Sequence, residues 1–389
     1  MLKISFMESV DEFRPTLREI SEFVFHHPEI GFQEFQTSNY LVEILQKHQF
    51  HVKRNVANLP TAFHARKGDG GLRIGLLCEY DAVSPSLGHA CGHNMIAASS
   101  VGAALLLAEL TDEYPFSIEV FGTPAEEEGG GKAIMADARV FEGVDVVYYI
   151  HPSYSTRIGG RSLATRLIEI EVFGTTSHAA RAPEQGRNAL QAIMHMFGIL
   201  DSERQHLPQT TKWNGVIVEG GDTPSSICPY AKAKVQLFSL TTKELEEAYR
   251  VVERVVKGVC LATNTTFQIK AGPLYLPRLV NKTLARVMED NMRAIGLEVE
   301  AMPEQEQGYT DVGNVSHVVP TVQGYISLKA GFVRNHTKEF RDLVISEKGH
   351  EAVVEATKVM GMTAIDLIQS PSLVKEIRAE FLRAKKEER

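Results

Sequence analysis

Residues 95–110, Met-Ile-Ala-Ala-Ser-Ser-Val-Gly-Ala-Ala-Leu-Leu-Leu-Ala-Glu-Leu, constrain the fold more than any other stretch of this chain. The run is too evenly apolar for a helix with one face in water, and too short for a membrane span before Glu109 interrupts it. It predicts a helix buried on all sides, which needs other layers around it. Directly before it lies Gly88-His-Ala-Cys-Gly-His-Asn94. That polar loop carries Cys91 and His93 two residues apart, and Asn94 is the expected N-cap of the helix. A thiolate and an imidazole on one glycine-bearing loop suit a zinc-like ion, although buried Cys and His also serve as plain packing residues.

The surrounding patterns alternate. Amphipathic helices are expected over 9–27 and 33–48, separated by a break at Pro28. Strands are expected over 50–55, 62–65, 72–78, 116–122 and 144–150, with a short helix over 132–138. Such alternation implies a mainly parallel sheet covered by helices, in which ligand-binding groups collect beyond the C-terminal strand ends. Asp81, Glu126, Glu127 and His151 all fall at such ends. From about residue 164 the texture changes to strand, helix, strand, strand, helix, strand (166–173, 188–200, 215–219, 231–239, 243–259, 265–270). This is the pattern of a small ferredoxin-like α+β domain. The expected organisation is therefore one discontinuous domain, 1–163 with 274–389, and an inserted domain, 164–273. At 389 residues the chain is long enough for both.

A net charge of −8 argues against a nucleic-acid partner. The four cysteines (Cys78, Cys91, Cys228, Cys260) are few and widely spaced, which fits a reducing, cytoplasmic setting rather than a disulfide framework. Cys78, Cys228 and Cys260 are expected to be buried apolar residues. The opening Met-Leu-Lys-Ile-Ser-Phe-Met-Glu-Ser has no long apolar stretch, so no secretion signal is expected. The charged last residues read as a solvated helix face.

Together, Glu79-Tyr-Asp-Ala82, Gly88-His-Ala-Cys-Gly-His93, Thr123-Pro-Ala-Glu-Glu127, Ile150-His-Pro152, Thr176-Ser-His-Ala179 and the late His336 make the chain resemble the M20 family of metallopeptidases and amidohydrolases. The likeness is to its aminoacylase-like and aminobenzoyl-glutamate hydrolase-like branch. The resemblance implies an α/β, phosphorylase/hydrolase-like catalytic domain bearing two divalent cations, interrupted by a lid that also dimerises. It implies Cys91, His93, Glu127, His151 and His336 as metal ligands and Glu126 as general base. Asp81 would be an orienting carboxylate, and His178 a lid residue that reaches the reacting carbonyl. Gly331 and Ser226 would lie against substrate. The implied reaction is hydrolysis of an amide bond in a small N-acyl amino acid or short peptide, through a hydroxide shared by the two cations. Dipeptidase, aminopeptidase or aromatic-amine aminohydrolase chemistry are the alternatives, with a non-catalytic metal-binding protein behind them. Zn²⁺ suits this donor set best, with Mn²⁺ or Co²⁺ also compatible.

Adjacent residues on an extended backbone point in different directions, so Glu127 can ligate while Glu126 stays free to move a proton. On local grounds alone, Glu126-Glu127-Glu128 also fits a solvated turn, Asp81 a turn residue and His178 an exposed loop residue. Asp311 fits either support of the site or a loop cap, and His89 a structural role. The chain departs from the family pattern at Asn94, where many relatives have Asp. It departs again at Ser226, where Asn is usual, and at Glu128, where some have Gly.

Overall fold

The computed structural model describes residues 1–306 and 308–388. The chain forms two compact units. One comprises Met1–Arg161, Arg278–Glu306 and the chain from Thr310 onward; the other comprises Ser162–Pro277 and the stretch up to Tyr309.

In the larger unit β1 (His51–Arg54), β2 (Phe63–Lys67), β3 (Leu72–Cys78), β4 (Phe116–Gly122), β5 (Val146–Ser153) and β6 (Arg157–Ile158) join a late strand, β11 (Thr321–Ser327). The seven-stranded sheet has the order β1-β2-β4-β3-β5-β11-β6. Its centre, β4-β3-β5-β11, is parallel, and β1, β2 and β6 pair antiparallel at the edges. Strands β4 and β5 are buried at every residue, as a parallel sheet covered on both faces requires. Helix His93–Ala108 is likewise buried along its whole length, against the sheet and helices Arg14–His26 and Glu347–Gln369. Its small residues let neighbours approach closely: a Cβ on Gly102 would lie 2.1 Å from Leu17 Cδ2. No helix among the described residues is long and apolar enough to cross a membrane.

Three local expectations are corrected. A helix forms over Leu2–Glu12, ahead of the expected start at residue 9. It buries only Phe6 and Val10, too thin a stripe to read as amphipathic, and Pro15 begins the next helix, Arg14–His26. Asn94 is not the N-cap of the buried helix. That place belongs to Gly92 in the left-handed region (φ +85), while Asn94 Nδ2 donates to Ser21 Oγ at 2.9 Å. Strand β5 continues past residue 150 to Ser153, because its pairing with β11 runs on to Ser153 opposite Ser327.

The smaller unit holds β7 (Ala164–Phe173), helix Ala189–Glu203, β8 (Lys212–Glu219), β9 (Tyr230–Ser239), helix Thr242–Thr263 and β10 (Thr266–Ala271). Its antiparallel sheet has the order β10-β7-β9-β8. Residues of β9 alternate between buried and half-exposed, as in a sheet with helices on one face only. The edge strand β8 exposes Val216, Ile217 and Val218.

Candidate metal centre

The C-terminal ends of the four parallel strands β3, β4, β5 and β11 supply this cluster. Past β3 come Glu79 and Asp81, then the loop to Cys91 and His93. The turn after β4 brings Glu126 and Glu127; His151 is in β5 itself, and the loop after β11 ends at His336. In His336 the backbone is left-handed (φ +63), and its N–H donates to Ala90 O at 2.9 Å, which ties that loop to the one carrying Cys91. Gly331 lies in the same loop at φ +73.

Three ligand groups result, each with its donor atoms within 4.8 Å of one another: Cys91 with His93 and His151, Cys91 with Glu127 and His336, and His93 with Glu126 and Glu127. Cys91 Sγ lies 3.4 Å from His151 Nε2, and His336 Nε2 lies 3.3 Å from Glu127 Oε1. The first two groups share the thiol. Donor chemistry and orphaned atoms both fit a divalent cation. His93 Nδ1 faces Asp81, 2.9 Å from Oδ1, and this leaves Nε2 turned to the cluster with no hydrogen-bond partner. Glu127 Oε1 is also buried and, despite the 3.3 Å approach of His336 Nε2, in no well-formed hydrogen bond. Unpaired buried donors and acceptors are costly, and a cation would satisfy them. His93 is wholly buried whereas the His336 side chain is 48% exposed, so the cluster opens on the side of His336.

Electrostatics agree with this chemistry. Burial and the neighbouring Glu79 and Glu127 carboxylates push the Glu126 carboxyl up to about 8. Contacts with Cys91 and Glu127 push His336 up to about 10. Burial would lower His93, but the facing Asp81 outweighs it and raises the imidazole well above its usual range. Burial also pushes the Cys91 thiol up. The metal-free cluster therefore holds protons that cations would displace.

Asp81 connects two of these groups. Besides facing His93, its Oδ2 accepts the Glu127 N–H at 3.0 Å. His178 and Ser226 belong to the smaller unit, where an isolated bridge pairs them with each other. His89 and all four cysteines are buried. Asp311 is held by Lys132, whose Nζ and N–H donate to it at 2.6 and 2.8 Å.

Sequence reasoning misses two participants, Lys132 and Glu79. Lys132 is fully buried, with Nζ also 2.9 Å from Glu79 Oε1, and the other oxygen of Glu79 is 3.5 Å from His93 Nε2. A lysine among the apolar residues just after an acidic, glycine-rich turn is a signal, because a buried ammonium demands carboxylate partners. Glu79 opens the Glu79-Tyr-Asp-Ala82 motif, two residues before Asp81.

A sequence model of peptidase family M20/M25/M40 matches residues 79–359, most of the chain. The chain belongs to this peptidase family. It is 33% identical to the Xaa-Arg dipeptidase of Mus musculus over 399 residues, covering 98% of this chain and 92% of the relative. With one of the subunits of the p-aminobenzoyl-glutamate hydrolase of Escherichia coli it shares 27% over 454 residues, covering 96% and 93%. In fold it is similar to a crystal structure described as a putative aminohydrolase from methicillin-resistant Staphylococcus aureus (TM-score 0.73, 19% identity, 93% and 99% covered). It is also similar to a dinuclear metal-binding peptidase of the M20 family from Bacillus subtilis (TM-score 0.66, 19% identity, 92% and 99% covered). As an M20 member the chain is a hydrolase acting on peptide or other carbon–nitrogen bonds.

Proposed function

We propose that this M20 member is a metal-dependent hydrolase that cleaves the amide bond of a small substrate, with dipeptides first and N-acyl amino acids second. Two three-residue ligand groups hinged on one thiol, with a carboxyl beside them, carry the reading. Cys91, His93 and His151 would hold one cation, and Cys91, Glu127 and His336 the other. Divalent cations bound there would make a water acidic enough to lose its proton near neutral pH and would polarise the scissile carbonyl. Glu126 accepts that proton and passes it to the leaving amine nitrogen. Asp81 fixes the ring of His93 so that Nε2 faces inward. His178 donates to the carbonyl oxygen as charge develops on it, while Ser226 and Gly331 line the substrate. The likeness to an Xaa-Arg dipeptidase over nearly the full length favours dipeptides ending in a basic residue. Zn²⁺ is the preferred cation, then Mn²⁺ or Co²⁺.

The smaller unit serves as a ferredoxin-like lid, corresponding to the inserted domain expected at 164–273. The exposed apolar edge of β8 suits association into a homodimer, because a bare strand edge invites pairing. The buried free cysteines fit a cytoplasmic setting.

Removal of metal by a chelator abolishes hydrolysis, and added Zn²⁺, Mn²⁺ or Co²⁺ restores it. A panel of Xaa-Arg dipeptides, other dipeptides and N-acyl amino acids, with products identified by mass spectrometry, ranks the substrates. Release of ammonia instead of an amino acid rejects the peptide reading. His93, Glu126 and Glu127 also lie within mutual ligand reach, which favours a second reading with Glu126 as ligand. Glu126→Gln separates the two: as base it keeps both cations and loses turnover, as ligand it loses a cation.

A further inference from the structure

We propose that Glu34 is a positioning residue for the catalytic base, holding Glu126 in place through the backbone of Ala125; this rests on the reading of Glu126 as that base. Glu34 immediately precedes helix Phe35–Lys47 and is fully buried. Its Oε1 accepts the Ala125 N–H at 2.9 Å, and its Oε2 accepts the Thr61 hydroxyl at 2.6 Å. Two residues further along, the Glu127 N–H donates to Asp81 Oδ2 at 3.0 Å. Glu126 is therefore bracketed by two amides, each tied to a buried carboxylate. Nothing in the local backbone preference would hold it there. Ala125 occupies the left-handed region (φ +58), where a residue with a Cβ persists only if its surroundings enforce the conformation.

The segment leading to Glu34 supplies that enforcement. A Cβ on Gly31 would lie 2.7 Å from Ala125 Cβ and 2.9 Å from Glu128 O, so the segment is laid directly on the turn that carries the base. On its other side Glu29 O accepts the Ala82 N–H at 2.8 Å, next to Asp81. One short stretch between two helices thus braces the turns after both β3 and β4.

The two brackets differ in what else they touch. Asp81 also faces His93, a proposed ligand, so its loss alters cation binding. Glu34 bonds to Ala125 and Thr61. Its loss releases the Ala125 amide, and with it one support of the turn carrying the base, while Glu127 stays tied to Asp81. Orientation of a proton-transferring group affects the chemical step more than substrate binding. The effect should appear in kcat, with KM and metal content preserved.

The test compares Glu34→Asp with Glu34→Gln in the full-length, metal-loaded enzyme. Aspartate keeps the charge but is one methylene too short to reach Ala125; glutamine loses the charge but keeps an acceptor of the right length. Glu34→Asp is expected to lower kcat about 10- to 100-fold, with KM within about threefold and two cations per chain by elemental analysis. Glu34→Gln should stay within about threefold of the parent in kcat. Unchanged kcat in Glu34→Asp overturns the proposal, and so does an equal loss in both variants. Amide exchange in the unaltered protein gives a check that depends on neither variant. The Ala125 N–H should be protected like the amides of β4, and exchange at the rate of an open loop overturns the proposal. Glu126→Gln is the reference. If it retains turnover, the base assignment itself falls; if it is inactive while Glu34→Asp is unaffected, only the positioning role falls.

Discussion

Strand β4 contains one buried carboxylate, Glu119, and leads within a few residues to a partly exposed one, Glu126, and the two have opposite company. Glu119 is wholly buried yet ringed by nitrogen partners: His64 Nε2 at 2.7 Å, and the Arg73 guanidinium with Nε at 2.6 Å and Nη2 at 3.0 Å. Burial acts to raise its pKa, but His64 and Arg73 outweigh it and hold the carboxyl at about 2. Glu126 is crowded by Glu79 and Glu127 and held at about 8 in the metal-free protein. Opposite neighbours make Glu119 an internal tie between strands and leave Glu126, whose side chain is 15% exposed, crowded by like charge beside the ligand groups. Burial of charge by itself therefore does not distinguish a site from a brace; the sign of the partners does.

The largest effect that would break this contrast is at Glu126. Glu126→Gln should lower kcat by about 10²- to 10⁴-fold, while the metal-free variant melts no lower than the parent, because an amide relieves the crowding of carboxylates. A clear drop in melting temperature would make Glu126 a brace like Glu119. The reverse pattern is expected for Glu119→Gln. Stability should fall by about 2–4 kcal/mol in urea unfolding, since Arg73 and His64 lose their anion, with turnover per folded molecule unchanged.

A subtler expectation concerns pH. The folded-state pKa of Glu119, about 2, lies below its ordinary value of 4.5, so the unfolded chain holds that proton more tightly. Its stabilisation is fully present above pH about 4.5 and is lost as pH falls toward about 2. The stability gap between parent and Glu119→Gln should be constant at neutral pH and narrow below about 4.5; a gap that widens on acidification contradicts the ion-pair account. The smallest effect calibrates the others. Arg18 and Glu22 form an exposed helical pair at 2.8 Å, and Glu22→Ala should leave the urea midpoint within measurement error of the parent.

Much of the larger unit was legible because its parts announce themselves locally. The buried helix starting at His93, strands β3 and β4, and polar residues just past strand ends all follow from apolar runs and their punctuation. The order of strand and helix in the smaller unit was legible for the same reason, from alternation in β7 and β9. Glu34 and Lys132 were not. Glu34 reads as one more polar residue near a helix start, and its meaning depends on Ala125, ninety-one positions away. Lys132 acquires its role only when Asp311 comes to 2.6 Å. The N-cap failed for a related reason: the loop entering the helix at His93 is shaped by what Cys91 and His93 face, so a left-handed Gly92 took the place that Asn94 would hold in isolation.

The sequence by itself determined the elements and which residue types stand at the strand ends, because burial and backbone preference act over a few neighbouring positions. Tertiary structure alone decided which carboxylates meet cations and which meet one another, and which amides tie the turn around Glu126. Those outcomes depend on distances between segments far apart in the chain, and at a few ångströms, away from bulk solvent, they set both the charge and the direction of each group.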